Sequence, residues 1–304
     1  MYLKLTRTAI AVLLFAAIGC GGGNTGSGFI PNRYWVGYLL WNATAQIDEL
    51  HKSRANGTED RLISDVALNG AQWSKYSPDG TALAYYKPTS SSTAGLFVMN
   101  VSNGTASQIT QLEWSSIYEF GPIDWRHDGA RMLFVKIRGK MSAINPDGTG
   151  EQQLTPTASN FVDRNGSWSP DGSRVVCERS EQGGNYYEIW VTDGNGGNPV
   201  RIASSEYGYP DWSPDGSRIA CVRNTDQLVT INPDGGEEVR HSLPSSVQTL
   251  YSPRWSPDGS MISFTAITTD FGPIRFGIVD VVSGKVFWRP GNGSYGNIGW
   301  IDQP

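Results

Sequence analysis

From residue 34 onward, apolar and polar residues alternate in short runs rather than at helical spacing. The pairs Leu83/Tyr85, Met132/Phe134, Val175/Cys177, Ile219/Cys221 and Ile262/Phe264 each put two apolar side chains on one face of a short segment, the period of a strand. Each pair follows an aromatic residue and a turn. The phrase Trp-Ser-Pro-Asp-Gly stands unaltered at 168–172, 212–216 and 255–259, with degenerate copies at 76–80 and 125–129. In such a turn Pro presets φ, Asp bonds the nearby backbone, and Gly accepts a conformation that a Cβ disfavours. Third strands are expected at 188–192 and 228–231, followed by hairpins rich in Asn, Asp and Gly at 145–148, 193–196 and 232–235.

The anchors Tyr76, Trp125, Trp168, Trp212, Trp255 and Trp300 recur about every 43–49 residues, the period of propeller blades. Five anchors are followed by enough chain for a whole blade. Trp300 is followed only by 301–304, so its blade must take its other strands from the N-terminal side. Residues 34–41, 46–53 and 59–64, with a hairpin at Asn56-Gly57, read as those strands. The expected fold is all-β: a six-bladed β-propeller over 34–304, its four-stranded antiparallel blades closed on the last by strands from both chain ends.

Residues 1–19 have a different grammar. Lys4 and Arg7 precede an apolar run, 9–18, well short of the roughly twenty residues that span a bilayer. This is a secretory signal. The tetrad Ala17-Ile18-Gly19-Cys20 resembles the lipobox of bacterial lipoproteins, which implies lipidation of Cys20 and cleavage before it. Residues 20–33 then read as the lipidated Cys and a flexible Gly-rich tether. Gly21 stands where an inner-membrane retention Asp often sits in enterobacterial lipoproteins. An exported chain, lipid-anchored to a bacterial membrane, is expected, on the outer membrane if the source has two.

The Trp-Ser-Pro-Asp-Gly copies, with the strands Ile-Ala-Cys-Val and Met-Ile-Ser-Phe that follow, resemble the TolB-type six-bladed propeller. The resemblance covers about residues 34–304 and implies partner-peptide binding at the loop face around the central funnel. It specifies fold far better than function.

Candidate chemistry is sparse. His51, His127 and His241 are scattered and expected on the surface, and no Cys-x-x-Cys or His-x-x-x-His is present to hold zinc. No Gly-x-Ser-x-Gly occurs. The repeated Asp79, Asp128, Asp171, Asp215 and Asp258 are explained by turn chemistry rather than by calcium. Asn-x-Ser/Thr triplets, beside a bacterial signal, read as loop residues. Cys177 and Cys221 occupy equivalent positions in neighbouring blades and point the same rotational way, so they are expected as buried free thiols. The net charge of −5 offers no basic stripe for nucleic acid. The chain is therefore expected to be a monomeric binding module rather than an enzyme, with no cofactor and no metal. Its partner would be an envelope protein or peptide. The alternatives are a propeller lyase or hydrolase acting on carbohydrate, for which Asp163, Tyr209 and Asp211 are candidates, and a glycan-binding surface protein.

The register just before each anchor puts Lys75, Asp124, Ser167, Asp211, Arg254 and Gly299 in one ring at the channel mouth. Segments entering the innermost strands add Tyr118, Asp163, Arg164, Tyr207, Tyr209, Tyr251 and Tyr295 as candidate partner contacts. The turn carrying Pro257 is expected on the opposite face.

Overall fold

A computed structural model describes residues 35–42, 47–54, 59, 61–64, 72–113, 121–136, 139–156, 160–182, 184, 187–269, 275–288 and 296–301. The expected signal, Cys20 and tether lie outside these residues, as do Tyr118 and Tyr295. The described strands form six four-stranded antiparallel sheets, a six-bladed propeller, with no α-helix among the described residues.

Blade 1 is built from both ends of the chain. Strands β1 (Trp35–Asn42), β2 (Ile47–Arg54) and β3 (Arg61–Ser64) are joined by β24 (Gly296–Ile301), which takes the innermost place. Pairing of Val36 with Trp300 and Trp35 with Ile301 fixes that closure. The remaining blades run in chain order. Blade 2 comprises β4 (Gln72–Tyr76), β5 (Ala82–Pro88), β6 (Thr93–Asn100) and β7 (Ala106–Glu113). Blade 3 comprises β8 (Asp124–Trp125), β9 (Met132–Lys136), β10 (Lys140–Ile144) and β11 (Gln152–Gln153). Blade 4 has β12 (Phe161–Trp168), β13 (Arg174–Glu181), β14 (Glu188–Asp193) and β15 (Val200–Ala203). Blade 5 has β16 (Tyr207–Trp212), β17 (Ile219–Arg223), β18 (Gln227–Ile231) and β19 (Val239–His241). Blade 6 has β20 (Val247–Trp255), β21 (Met261–Thr268), β22 (Arg275–Asp280) and β23 (Val286–Trp288).

The repeated turn works through its Asp. Asp171 Oδ1 accepts from Ser169 Oγ at 2.6 Å and from Ser173 N–H at 3.0 Å, and Asp79, Asp215 and Asp258 repeat the pattern. Gly172 follows with φ +68°, a left-handed conformation that an L side chain resists. Beyond the turn, second strands are buried on both faces, not one: Ala84, Leu133, Val176 and Ala220 are as enclosed as the alternating apolar pairs. The cause is position, because each second strand is packed between two neighbouring blades. Trp212, for example, packs from blade 5 against Val176, Ile189 and Val191 of blade 4.

Cys177 and Cys221 are buried, free, and in separate core clusters; burial pushes both thiols well above their ordinary range. His241 departs from the surface expectation. It is buried on β19, with Nε2 3.3 Å from Thr230 Oγ1, and burial followed by the charge of Arg218 lowers its pKa. Outer strands carry such a residue inward where the next blade overlaps them.

Candidate functional site

The N–H of each anchor faces the propeller axis because of hydrogen-bond alternation. Ser169 N–H bonds Arg174 O at 2.9 Å across the blade, and Ser213 and Ser256 bond Arg218 and Met261 in the same way. In an antiparallel pair the preceding N–H must then point away from the second strand, toward the axis. Those inward N–H groups are caught by the previous blade. Trp168 N–H donates to Asp124 Oδ2 at 2.9 Å, Trp212 N–H to Ser167 Oγ at 3.3 Å, and Trp255 N–H to Asp211 Oδ2 at 2.8 Å. The second carboxylate oxygens meet cations: Lys75 Nζ lies 3.3 Å from Asp124 Oδ1, and Arg254 Nη1 lies 3.2 Å from Asp211 Oδ1.

Lys75, Asp124, Ser167, Asp211 and Arg254 therefore line one axial cavity of about 180 Å³. Its rim consists of anchor rings and turn residues, including Pro78, His127, Pro170, Pro214 and Pro257. This corrects the expected geometry. The ring opens among the Trp-Ser-Pro-Asp-Gly turns, so Pro257 shares its pocket with Arg254 instead of sitting across the molecule. The reason is that the anchor ends its strand, and the turn begins beside it. Burial raises the Asp211 pKa, while the charges of Arg254 and Lys75 oppose that shift.

The other candidates lie further back along the innermost strands, behind a β-bulge. The register shifts between Gln72 and Lys75, Arg164 and Ser167, Gly208 and Asp211, and Tyr251 and Arg254. Three residues before the anchor, Trp73, Asn165, Tyr209 and Ser252 take φ between +48° and +55° without being glycine. In blade 4 the charge pairing supplies a reason. Continuing the Ser167–Val176 register unbroken would set Arg164 opposite Arg179. The bulge sets Asp163 opposite Arg179 and Arg164 opposite Glu178.

These pairs assign roles. Asp163 is fully buried, bonded by Arg179 at 2.7 and 2.8 Å and by Thr155 Oγ1 at 2.6 Å. It is thus inaccessible as a partner contact or as an enzyme's acid, despite its place in the sequence. Glu178, also buried, accepts from Arg164 Nε at 2.6 Å, Asn165 Nδ2 at 2.7 Å and Tyr209 N–H at 2.5 Å. Arg164 remains part-exposed and stacks over Tyr187 at 3.5 Å. Tyr209 meets Tyr251 edge-on at 5.9 Å, and Tyr207 bonds Glu238. Burial, then that bond, raises the Tyr207 pKa to about 12. None of Arg164, Tyr207, Tyr209 and Tyr251 lines the axial cavity. Glu178 and the bulge residues Trp73, Asn165 and Ser252 were not among the residues the sequence singled out, and no motif marks them.

A family model described as the TolB beta propeller domain matches residues 74–274. No curated protein matches in sequence. Among solved structures, TolB from Acinetobacter baumannii superposes with a TM-score of 0.69 at 18% identity, covering 90% of this chain and 68% of that one. A chain of a nidogen/laminin complex gives 0.68 at 12% identity, covering 89% and 99%. The oligogalacturonate lyase of Vibrio parahaemolyticus gives 0.55 at 19% identity, covering 77% and 72%. At such identities the likeness is one of fold.

Proposed function

Because the chain belongs to the TolB beta propeller domain family, we propose that it is a cell-envelope lipoprotein whose propeller holds a protein or peptide partner at the axial cavity. The observation that carries this reading is the axial ring itself. It gathers two cations, two carboxylates and a hydroxyl beneath a rim of tryptophan and proline. Aromatic and Arg side chains around a desolvated pocket are the groups that dominate protein recognition. Mixed signs suit a polar peptide. Both carboxylates are already bound by a backbone N–H and faced by a cation, an arrangement that favours holding a partner over moving a proton. A similar fold taking part in the nidogen/laminin complex agrees with a binding role.

Export and anchoring rest on the sequence. Several acyl chains on Cys20 would hold the propeller stably at a membrane where one chain would not, and the Gly-rich tether would leave it free to reach a partner. Cys20→Ser should lose incorporated fatty acid and leave the membrane fraction; retention of both would overturn the anchor. For binding, the full chain extracted in mild detergent is compared with a Lys75→Gln, Arg254→Gln double variant. Loss of co-isolated proteins from a variant that still melts cooperatively supports the axial site. An unchanged set overturns it.

A further inference from the structure

The axial ring is stitched around only part of its circumference. Asp124, Ser167 and Asp211 supply side-chain acceptors to the inward N–H groups of the next anchors, joining blades 3 to 4, 4 to 5 and 5 to 6. Gly299, Lys75 and Arg254 hold the same register position in blades 1, 2 and 6, and none of the three has a side-chain acceptor. Ser77 N–H bonds Ala82 O at 2.9 Å and Arg126 N–H bonds Arg131 O at 2.8 Å, so the N–H groups of Tyr76 and Trp125 also point toward the axis. The ring residues preceding them are Gly299 and Lys75. Where blades 4, 5 and 6 receive an oxygen, blades 2 and 3 therefore meet a bare backbone and a cation.

The charges divide along the same line. Asp124 and Asp211 flank Ser167 on the stitched side. Lys75 and Arg254 flank Gly299 on the other, and glycine puts no side chain between them. Each cation engages one carboxylate oxygen, yet ammonium has three N–H donors and guanidinium five. Donor capacity is left over on this arc, while each Asp oxygen already has a partner. An incoming acceptor with one negative charge completes the pattern; a doubly charged anion would meet the two aspartates across the cavity.

We infer that the arc between Lys75 and Arg254 is a carboxylate site, where the partner's C-terminal or Asp/Glu carboxylate takes the place of the missing ring acceptors. The inference rests on the axial cavity being the binding site. A cavity of about 180 Å³ suits a single small residue of the partner.

The test titrates the ¹⁵N-labelled full chain with N-acetylglycine, N-acetylglutamic acid α-amide carrying only its side-chain carboxylate, N-acetylglycinamide and inorganic phosphate. Saturable shifts of the Tyr76 and Trp125 amides are expected with one or both carboxylates, the tighter identifying the source, and none with the amide. Arg254→Gln and Lys75→Ser should each weaken binding at least tenfold. Lys75→Ser places at blade 2 the hydroxyl that Ser167 supplies in blade 4, so it removes the cation while adding a ring acceptor. Arg254→Lys should restore part of the affinity lost in Arg254→Gln. No saturable shift, equal response to the amide, or tighter binding of phosphate would overturn the carboxylate site. If the probes fail while partner retention still depends on Lys75 and Arg254, the axial cavity remains the binding site and only the carboxylate assignment falls.

Discussion

The indole Nε1 of Trp300 donates to the carbonyl oxygen of Arg254 at 3.1 Å, tying the last strand of the chain to blade 6. Trp125 makes the corresponding bond to Lys75 O, at 3.0 Å, between two blades that are consecutive in sequence. The closing blade is thus fastened by the same contact as an internal one. Trp300→Ala should destabilise the propeller by about 3 kcal/mol through lost packing. Trp300→Phe, which keeps most of the ring but loses the donor, should cost about 1 kcal/mol. Deleting 296–304 should prevent folding or cause aggregation, because it exposes an edge on β1. Urea melts check all three, and a soluble deletion variant melting cooperatively would contradict ring closure.

Asp163 should behave as a structural residue. Removing it leaves the Arg179 guanidinium buried without its carboxylate, so Asp163→Ala should cost about 3–5 kcal/mol. Partner binding per folded molecule should be unchanged. Equilibrium unfolding and binding on the same sample separate the two. A stable Asp163→Ala that no longer binds would return this residue to the functional site.

The turn aspartates should set the acid limit of stability. Ser hydroxyls two residues upstream hold Asp79, Asp171 and Asp215 below the ordinary carboxylate range, Asp171 at about 2, and Arg126 does so for Asp128. A folded pKa below the unfolded one means that the unfolded chain binds more protons between the two values. Their stabilisation is therefore present above about pH 4 and lost as pH falls toward 2. Asp211 runs the other way: its raised pKa means a contribution that declines as pH rises through the window above 3.8. With four groups against one, stability should fall on acidification. Asp171→Asn should flatten the dependence between about pH 4 and pH 2; an unchanged slope would contradict this origin.

Much of the architecture was legible because it is written in local chemistry repeated five times. An aromatic, followed in five of six blades by a turn ending in Asp-Gly, marks where the innermost strand stops, so Lys75, Asp124, Asp211 and Arg254 could be assigned to one ring by counting. The bulge could not be read. Trp73, Asn165, Tyr209 and Ser252 adopt left-handed backbone with no glycine or shared side chain to announce it. That one-residue slip decides that Asp163 meets Arg179 and is consumed in the interior. Which end of the ring opens was also hidden, since it depends on the anchors and turns gathering around the axis. Pro257 and His127 consequently became rim residues of the pocket.

The most direct measurement places a photo-crosslinking benzoylphenylalanine at His127, on the axial rim, and separately at Val282, which is 94% exposed and does not line the cavity. Irradiation in intact cells should give a discrete protein adduct from position 127 and none from 282. That adduct should disappear when Lys75→Gln and Arg254→Gln are added. No adduct at 127, one of equal yield at 282, or one that survives loss of both cations would contradict a partner held at the axial ring.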